Sequence, residues 1–179
     1  MKPDRGVEVA FNEFGPTMND AGFHLPTSES TTTDRPRIEP IRDIKNHQHD
    51  VPTDAETLKA GDGESFFAPP KADFLAVYAA GRTDGLMGVN SNVGHFGRFD
   101  FQRDGDTFID AYSNASNYAV GVYMAGAGYT WHETFLIANT FAHIMSSNAG
   151  SRTQQAWWAR GWNDATNKTG PFSSSKTDD

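Results

Sequence analysis

The sequence predicts an α+β fold: a mainly helical single domain carrying a β-hairpin, preceded by a disordered N-terminal arm. Three observations predict it. Residues 1 to 62 are rich in Thr, Ser, Asp, Pro and His and poor in aliphatics, so they bury too little apolar surface to offset their conformational entropy. Two short alternating segments flank Asp104-Gly105, a hairpin turn signal. Beyond them, apolar residues recur at helical spacing as far as Trp162. With 179 residues and no cysteine, one core without disulfides is expected. The predicted divisions are a flexible arm over 1–62, a folded domain over 63–168 and a mobile tail over 169–179.

In order along the chain, Ser28 to Thr33 is an all-polar run inside the arm, and short pieces such as Val7 to Phe14 are able to dock locally. Ala68-Pro69-Pro70 forms a rigid lead into a short helix through Phe74, Leu75, Val77 and Tyr78, ending near Gly81. Gly85 to Gly97, with its glycines and asparagines, reads as a loop. Phe99 to Gln102 and Thr107 to Tyr112 alternate and form the two strands of the hairpin. Asn117 to Ala127 is helical, with Asn117 as its cap and Gly128 ending it. Thr130 and Glu133 have capping-box spacing, so a helix runs from there to about Ser147 with Ile137, Phe141, Ile144 and Met145 as its stripe. A last helix spans about Thr153 to Asn163. Its three tryptophans within six residues cannot all face one core, so one is expected to be exposed as a stacking surface.

Charge limits the partners. The formal net charge is −8, which provides no basic stripe for phosphates, so nucleic acid is disfavoured. No apolar segment is long enough and free enough of polar groups to span a membrane. No conventional signal peptide is visible at the N-terminus, so export is expected to use a specialised secretion system.

No complete catalytic signature is present, neither a nucleophile elbow, nor a zinc helix, nor a phosphate loop. No cofactor and no metal are expected. In the first strand, Asp100 lies between Arg98 and Gln102 on the face opposite Phe99 and Phe101. A carboxylate on an accessible face can act as a general base or hold a substrate. His95, in Gly94-His95-Phe96-Gly97, is an imidazole on a glycine-rich bend that titrates near neutral pH. The register of the hairpin decides whether Asp110 joins Asp100 as the carboxylate pair that glycoside hydrolysis uses. Tyr112, Asn114 and Asn117 lead into the next helix, where an amide can fix a substrate carbonyl. Trp158 is the candidate stacking residue.

Phe99-Asp100-Phe101-Gln102-Arg103, followed by Tyr112-Ser113-Asn114-Ala115-Ser116-Asn117-Tyr118-Ala119-Val120-Gly121, resembles the bacterial polymorphic toxin type 44 domains. The likeness covers about Phe66 to Trp162. Asp100, Asn117 and Gly121 match motif positions of that family. Gln102 stands in place of a lysine, Asn114 of an aspartate, Ser116 of a glycine and Ala119 of an asparagine. The resemblance implies a toxin delivered into competing cells by a secretion or delivery apparatus and neutralised by a cognate immunity protein.

These readings lead to an antibacterial effector, a hydrolase of cell-wall peptidoglycan acting on a glycan or peptide substrate in the target periplasm. In it Asp100, Asn117, His95 and Gln102 are catalytic, while Arg98, Tyr112, Asn114 and Trp158 bind substrate. The alternatives are a nuclease toxin using His95 or His132 with Asp100, and a non-enzymatic module that binds a partner or glycan.

Overall fold

The computed structural model describes residues 44–145 and 151–173. It is a mixed α+β domain dominated by helices, with two small sheets. Three short strands, β1 (Asn46–Gln48), β2 (Glu56–Lys59) and β3 (Ser65–Ala68), precede helix α1 (Phe74–Asp84) and the one-turn-and-a-half helix α2 (Val89–Val93). The strands β4 (Arg103–Asp104) and β5 (Thr107–Ile109) follow, and then α3 (Ser113–Gly126), α4 (Trp131–Met145) and α5 (Arg152–Asn167).

The N-terminal boundary is earlier than the sequence reading placed it. Strands β1 and β2 lie inside the stretch expected to be an arm. β2 pairs antiparallel with β3, Glu56 opposite Ala68 and Lys59 opposite Ser65. β1 pairs parallel with β5, Asn46 opposite Thr107 and Gln48 opposite Ile109. Backbone pairing holds these polar residues in place, and hydropathy does not report it. Residues 1–43, including Val7 to Phe14 and the Ser/Thr run, lie outside the described residues. At the other end Phe172, expected in a mobile tail, is 7% exposed and packs its ring near Tyr78.

The core forms around α3, which is buried on most of its circumference: Tyr118, Val122, Tyr123 and Met124 are all at 0% exposure. Strand β3 sends Phe66 and Ala68 inward and leaves Ser65 and Phe67 outside. Phe66 then meets Phe74, Tyr118 and Trp157 at ring-centroid distances of 5.9, 5.0 and 5.2 Å. Truncating one such side chain costs about 2–5 kcal/mol.

Two helix crossings depend on paired glycines. A β-carbon on Gly121 of α3 would lie 1.9 Å from the Trp158 carbonyl oxygen of α5, and one on Gly161 of α5 would lie 2.0 Å from the Tyr118 carbonyl oxygen of α3. The α1–α3 crossing repeats the device with Gly81 against Tyr123 and Gly126 against Tyr78. Small residues on both partners let the backbones approach closely, which fixes where α3 and α5 present their side chains.

Asp164 joins distant parts of the domain. At 4% exposure it accepts the Tyr118 hydroxyl at 2.8 Å, the Thr169 hydroxyl at 2.6 Å and the Gly61 amide at 2.9 Å. Burial and this carboxylate together hold the Tyr118 phenol far above its ordinary pKa.

Local readings are borne out in places and corrected in others. The Thr130–Glu133 capping box is present: Glu133 accepts the Thr130 amide at 2.8 Å, and Thr130 accepts the Glu133 amide at 3.4 Å. That arrangement holds the Glu133 carboxyl below its usual range. Helix α1 is capped by Asp73, whose carboxylate accepts the Ala76 amide at 2.9 Å, and continues to Asp84. The expected loop over 85–97 contains a 3-10 turn and α2. Helix α3 begins at Ser113, not Asn117, so Asn117 lies inside the helix and caps nothing. Trp157 and Trp158 are buried at 3% and 2%, and Trp162 is half-buried with its indole N–H donated to the Tyr129 carbonyl at 2.8 Å. None of the three is the exposed stacking surface the sequence suggested. No described helix is long and apolar enough to cross a membrane.

Candidate functional site

The hairpin turn forms at Asp104-Gly105, with Gly105 at φ 58° and Asp104 paired with Thr107. The first strand, however, is only two residues long, and Phe99 to Gln102 form a turn. This turn overturns the expected open strand face. Asp100 is 7% exposed, and its Oδ2 accepts Arg103 Nη1 at 2.8 Å and the Phe96 amide at 2.7 Å. A buried carboxylate shared in this way is an anchor. Asp100 faces neither of the two cavities described below.

What Asp100 anchors is informative. Arg103 is itself 10% exposed at its side chain and lies over the rings of Phe108 and Phe96, at 5.2 and 5.6 Å from their centroids. Its guanidinium is therefore held between two aromatic faces and one carboxylate. Phe96 has φ 59°, the left-handed region that a bulky residue adopts only under constraint. The Phe96–Asp100 hydrogen bond and the Gly97 to Gly94 backbone bond at 2.9 Å supply that constraint. The bend so fixed carries His95.

His95 and Arg103 line a cleft of about 510 Å³ together with Gln102, Asn114, Asn117, Ser113, Gln154, His47, Phe108 and Asp110. The half-buried His95 imidazole has its pKa lowered from 6.5, first by desolvation and then by the Arg103 charge, with Asp100 opposing. It is neutral at neutral pH, with one ring nitrogen able to accept a proton. Opposite, Asp110 bonds His49 and lies 3.9 Å from His47 Nδ1. His47 lies on strand β1 and His49 one residue past its end, two residues apart in extended backbone, which brings both to the same carboxylate.

The Asn117 side-chain amide is fixed by its neighbours. Asn117 Nδ2 donates to the Ser113 carbonyl at 2.8 Å, while its Oδ1 accepts the Trp158 indole N–H at 3.1 Å. The Gln102 backbone amide donates to the Ser116 hydroxyl at 2.9 Å. Beside the polar cleft, and sharing His95, Gln102, Asn117 and Gln154 with it, is an apolar slot of about 80 Å³. Val93, Val120, Met124, Ile137, Phe141 and Trp158 form its walls.

Of the residues picked from sequence, the structure gathers His95, Gln102, Asn114, Asn117 and Trp158 around these connected cavities. It does not bring Asp100, Arg98 or Tyr112 there. Arg98 is exposed and stacks 4.8 Å over Phe99, and Tyr112 is 3% exposed in the interior, which raises its phenol pKa. Asp110 forms no carboxylate pair with Asp100, because the two-residue turn sets Arg103 opposite Phe108. Sequence reasoning missed Arg103, His47 and the site role of Gln154. The His47-Gln48-His49 alternation was the available signal, hidden inside a stretch read as an arm.

The chemistry is that of a half-buried neutral base beside a fixed cation, with several amide donors and acceptors around a shared cavity. Among the described residues no three His, Asp or Glu side chains converge as metal ligands. No protein-family model, curated protein or solved structure matches this chain.

Proposed function

We propose that this chain is a hydrolytic effector of the toxin type, with the bacterial cell wall as its substrate and His95, not Asp100, as its acid–base group. One observation carries the reading: a desolvated His95 shares a cleft with Arg103, whose position is set by a buried carboxylate and two rings. In this account His95 takes a proton from the attacking water and returns it to the leaving group. Arg103 binds the charge that builds up on the substrate, a role that needs a donor fixed before reaction. Asn117, Gln102 and Gln154 orient the polar groups of the substrate.

Two observations favour a wall polymer. The formal charge of −8 repels a polyanion. Amide-rich walls match the amide-rich sugars and peptides of peptidoglycan. Asp110 is the one carboxylate lining the cleft among the described residues, so the acid–base pair of a glycosidase is replaced here by imidazole chemistry. The resemblance to the type 44 toxins adds the biological frame: delivery by a secretion apparatus, action in the target periplasm and a cognate immunity protein.

A nuclease is the second reading, favoured by His47 with Asp110 on the same cleft as His95, since two imidazoles and an arginine suit phosphodiester cleavage. Expression in bacterial cytoplasm, and separately behind an export signal, separates the two. The wall reading expects lysis only after export and loss of lysis in His95→Gln. Cytoplasmic killing with degraded RNA or DNA overturns it in favour of the nuclease. A binding module would keep its effect in His95→Gln. The variant Asp100→Asn does not make this distinction, because it leaves Arg103 without its counter-ion and so perturbs the site in either reading.

A further inference from the structure

We infer that the apolar slot beside His95 is a subsite for an N-acetyl group: its methyl enters the slot and its amide N–H donates to Gln154. The inference rests on the wall-polymer reading above for its biological meaning, and on two observations for its chemistry.

Size selects the group. A cavity of roughly 150 Å³ lined by aliphatic and aromatic side chains accepts benzene. The slot here holds about 80 Å³, too little for an aromatic ring or a nucleobase and enough for an acetyl group. Its lining is largely apolar, with Val93, Val120, Met124, Ile137 and Phe141, and of the polar side chains there besides Asn90 and those of the rim, the Ser116 hydroxyl and the Trp158 indole N–H are already engaged by Gln102 and Asn117, so an apolar group suits its interior. The rim is different. His95, Gln102, Asn117 and Gln154 stand where the slot meets the polar cleft.

Polarity selects the attachment. Gln154 Oε1 is buried and has no hydrogen-bond partner among the described residues. A buried acceptor without a donor is costly, and a ligand N–H removes that cost. Among the described residues Asn117 uses Nδ2 on Ser113, and that nitrogen carries a second hydrogen suited to a ligand carbonyl. A methyl, an N–H and a carbonyl in this order make up an acetamido group. It occurs both on N-acetylated sugars and on N-acylated peptides.

The test is binding by the full chain, followed through the Trp158 indole N–H signal in proton–nitrogen NMR, since Trp158 forms part of the slot wall. The probes are N-acetylglucosamine disaccharide, its de-acetylated counterpart and N-acetyl-D-alanine amide. A saturable shift with the acetylated disaccharide alone assigns the group to the glycan, and one with the alanine amide alone assigns it to peptide. The free amine should bind on the order of tenfold more weakly or not at all. Gln154→Leu should lose a similar factor, and Gln154→Glu, which keeps the acceptor, should stay within about threefold. Equal binding of the acetylated and free-amine sugars, no binding of either acetylated probe, or an unaffected Gln154→Leu overturns the inference. His95→Gln separates it from the catalytic reading: if this variant retains wall hydrolysis while the parent binds the acetylated probe in a Gln154-dependent way, the role of His95 fails and the subsite stands.

Discussion

Replacing Asp100 by asparagine keeps the shape of the side chain and removes its charge. In the parent the carboxylate, with Arg103 at 2.8 Å, is buried at 3% side-chain exposure and the guanidinium at 10%. Asparagine can still accept the Phe96 amide, so the change isolates the buried ion pair. Breaking such a pair from one side leaves the other charge uncompensated and costs about 3–5 kcal/mol. That is a large part of the roughly 5–15 kcal/mol that holds a domain folded, yet small enough to leave a measurable folded population. The same variant carries a signature that a merely damaged core does not share. Asp100 raises the His95 pKa and Arg103 lowers it. Removing the anion must therefore move His95 further below 6.5, while Arg103→Met must move it up. Urea unfolding gives the first quantity and NMR titration of the His95 ring protons the second. Stability within about 0.5 kcal/mol of the parent, or a His95 shift upward in Asp100→Asn, refutes the reasoning.

Other consequences follow from the same geometry. Because the folded His95 pKa lies below the 6.5 of the unfolded chain, the unfolded state takes the proton first, and this group's contribution is fully present above pH 6.5. Stability should fall as pH drops below that value, and the fall should be absent in His95→Gln when both are followed by thermal unfolding. Gly121→Ala and Gly161→Ala each drive a methyl into a carbonyl of the facing helix. Each should cost about 3 kcal/mol or more by urea denaturation, and a cost below about 1 kcal/mol contradicts the close crossing. Asp164→Ala strands the Tyr118 hydroxyl, the Thr169 hydroxyl and the Gly61 amide. It should cost about 3–5 kcal/mol, with strong non-additivity against Tyr118→Phe in a double-mutant cycle.

The helical part of the fold was legible because it obeys local rules. The Thr130–Glu133 box and the Asp104-Gly105 turn are read from neighbours a few residues apart, and both form. The strands β1 and β2 were hidden because long-range pairing holds them. Asn46 to Gln48 shows no strand propensity until β5, some sixty residues later, supplies its partner. At the site, His95, Gln102 and Asn117 were visible as chemistry-bearing types, read on a bend, a strand and a helix start. Asp100 was placed on the wrong face because Phe99-Asp100-Phe101 alternates like a strand, while the backbone there turns to bury the carboxylate against Arg103. The value of Arg103 follows from Phe96, Phe108 and Asp100 converging on it, which spacing alone does not reveal. The side chains of Ile144 and Met145 and all of residues 146–150 and 174–179 lie outside the described residues.

The most direct test of the account compares the purified full chain with its His95→Gln variant on isolated peptidoglycan sacculi, following release of soluble fragments across pH. The account predicts release by the parent that rises with pH along a limb below 6.5 and is at least about a hundredfold slower in the folded variant. Equal release by the two proteins, or none by the parent where RNA or DNA is cleaved, contradicts it.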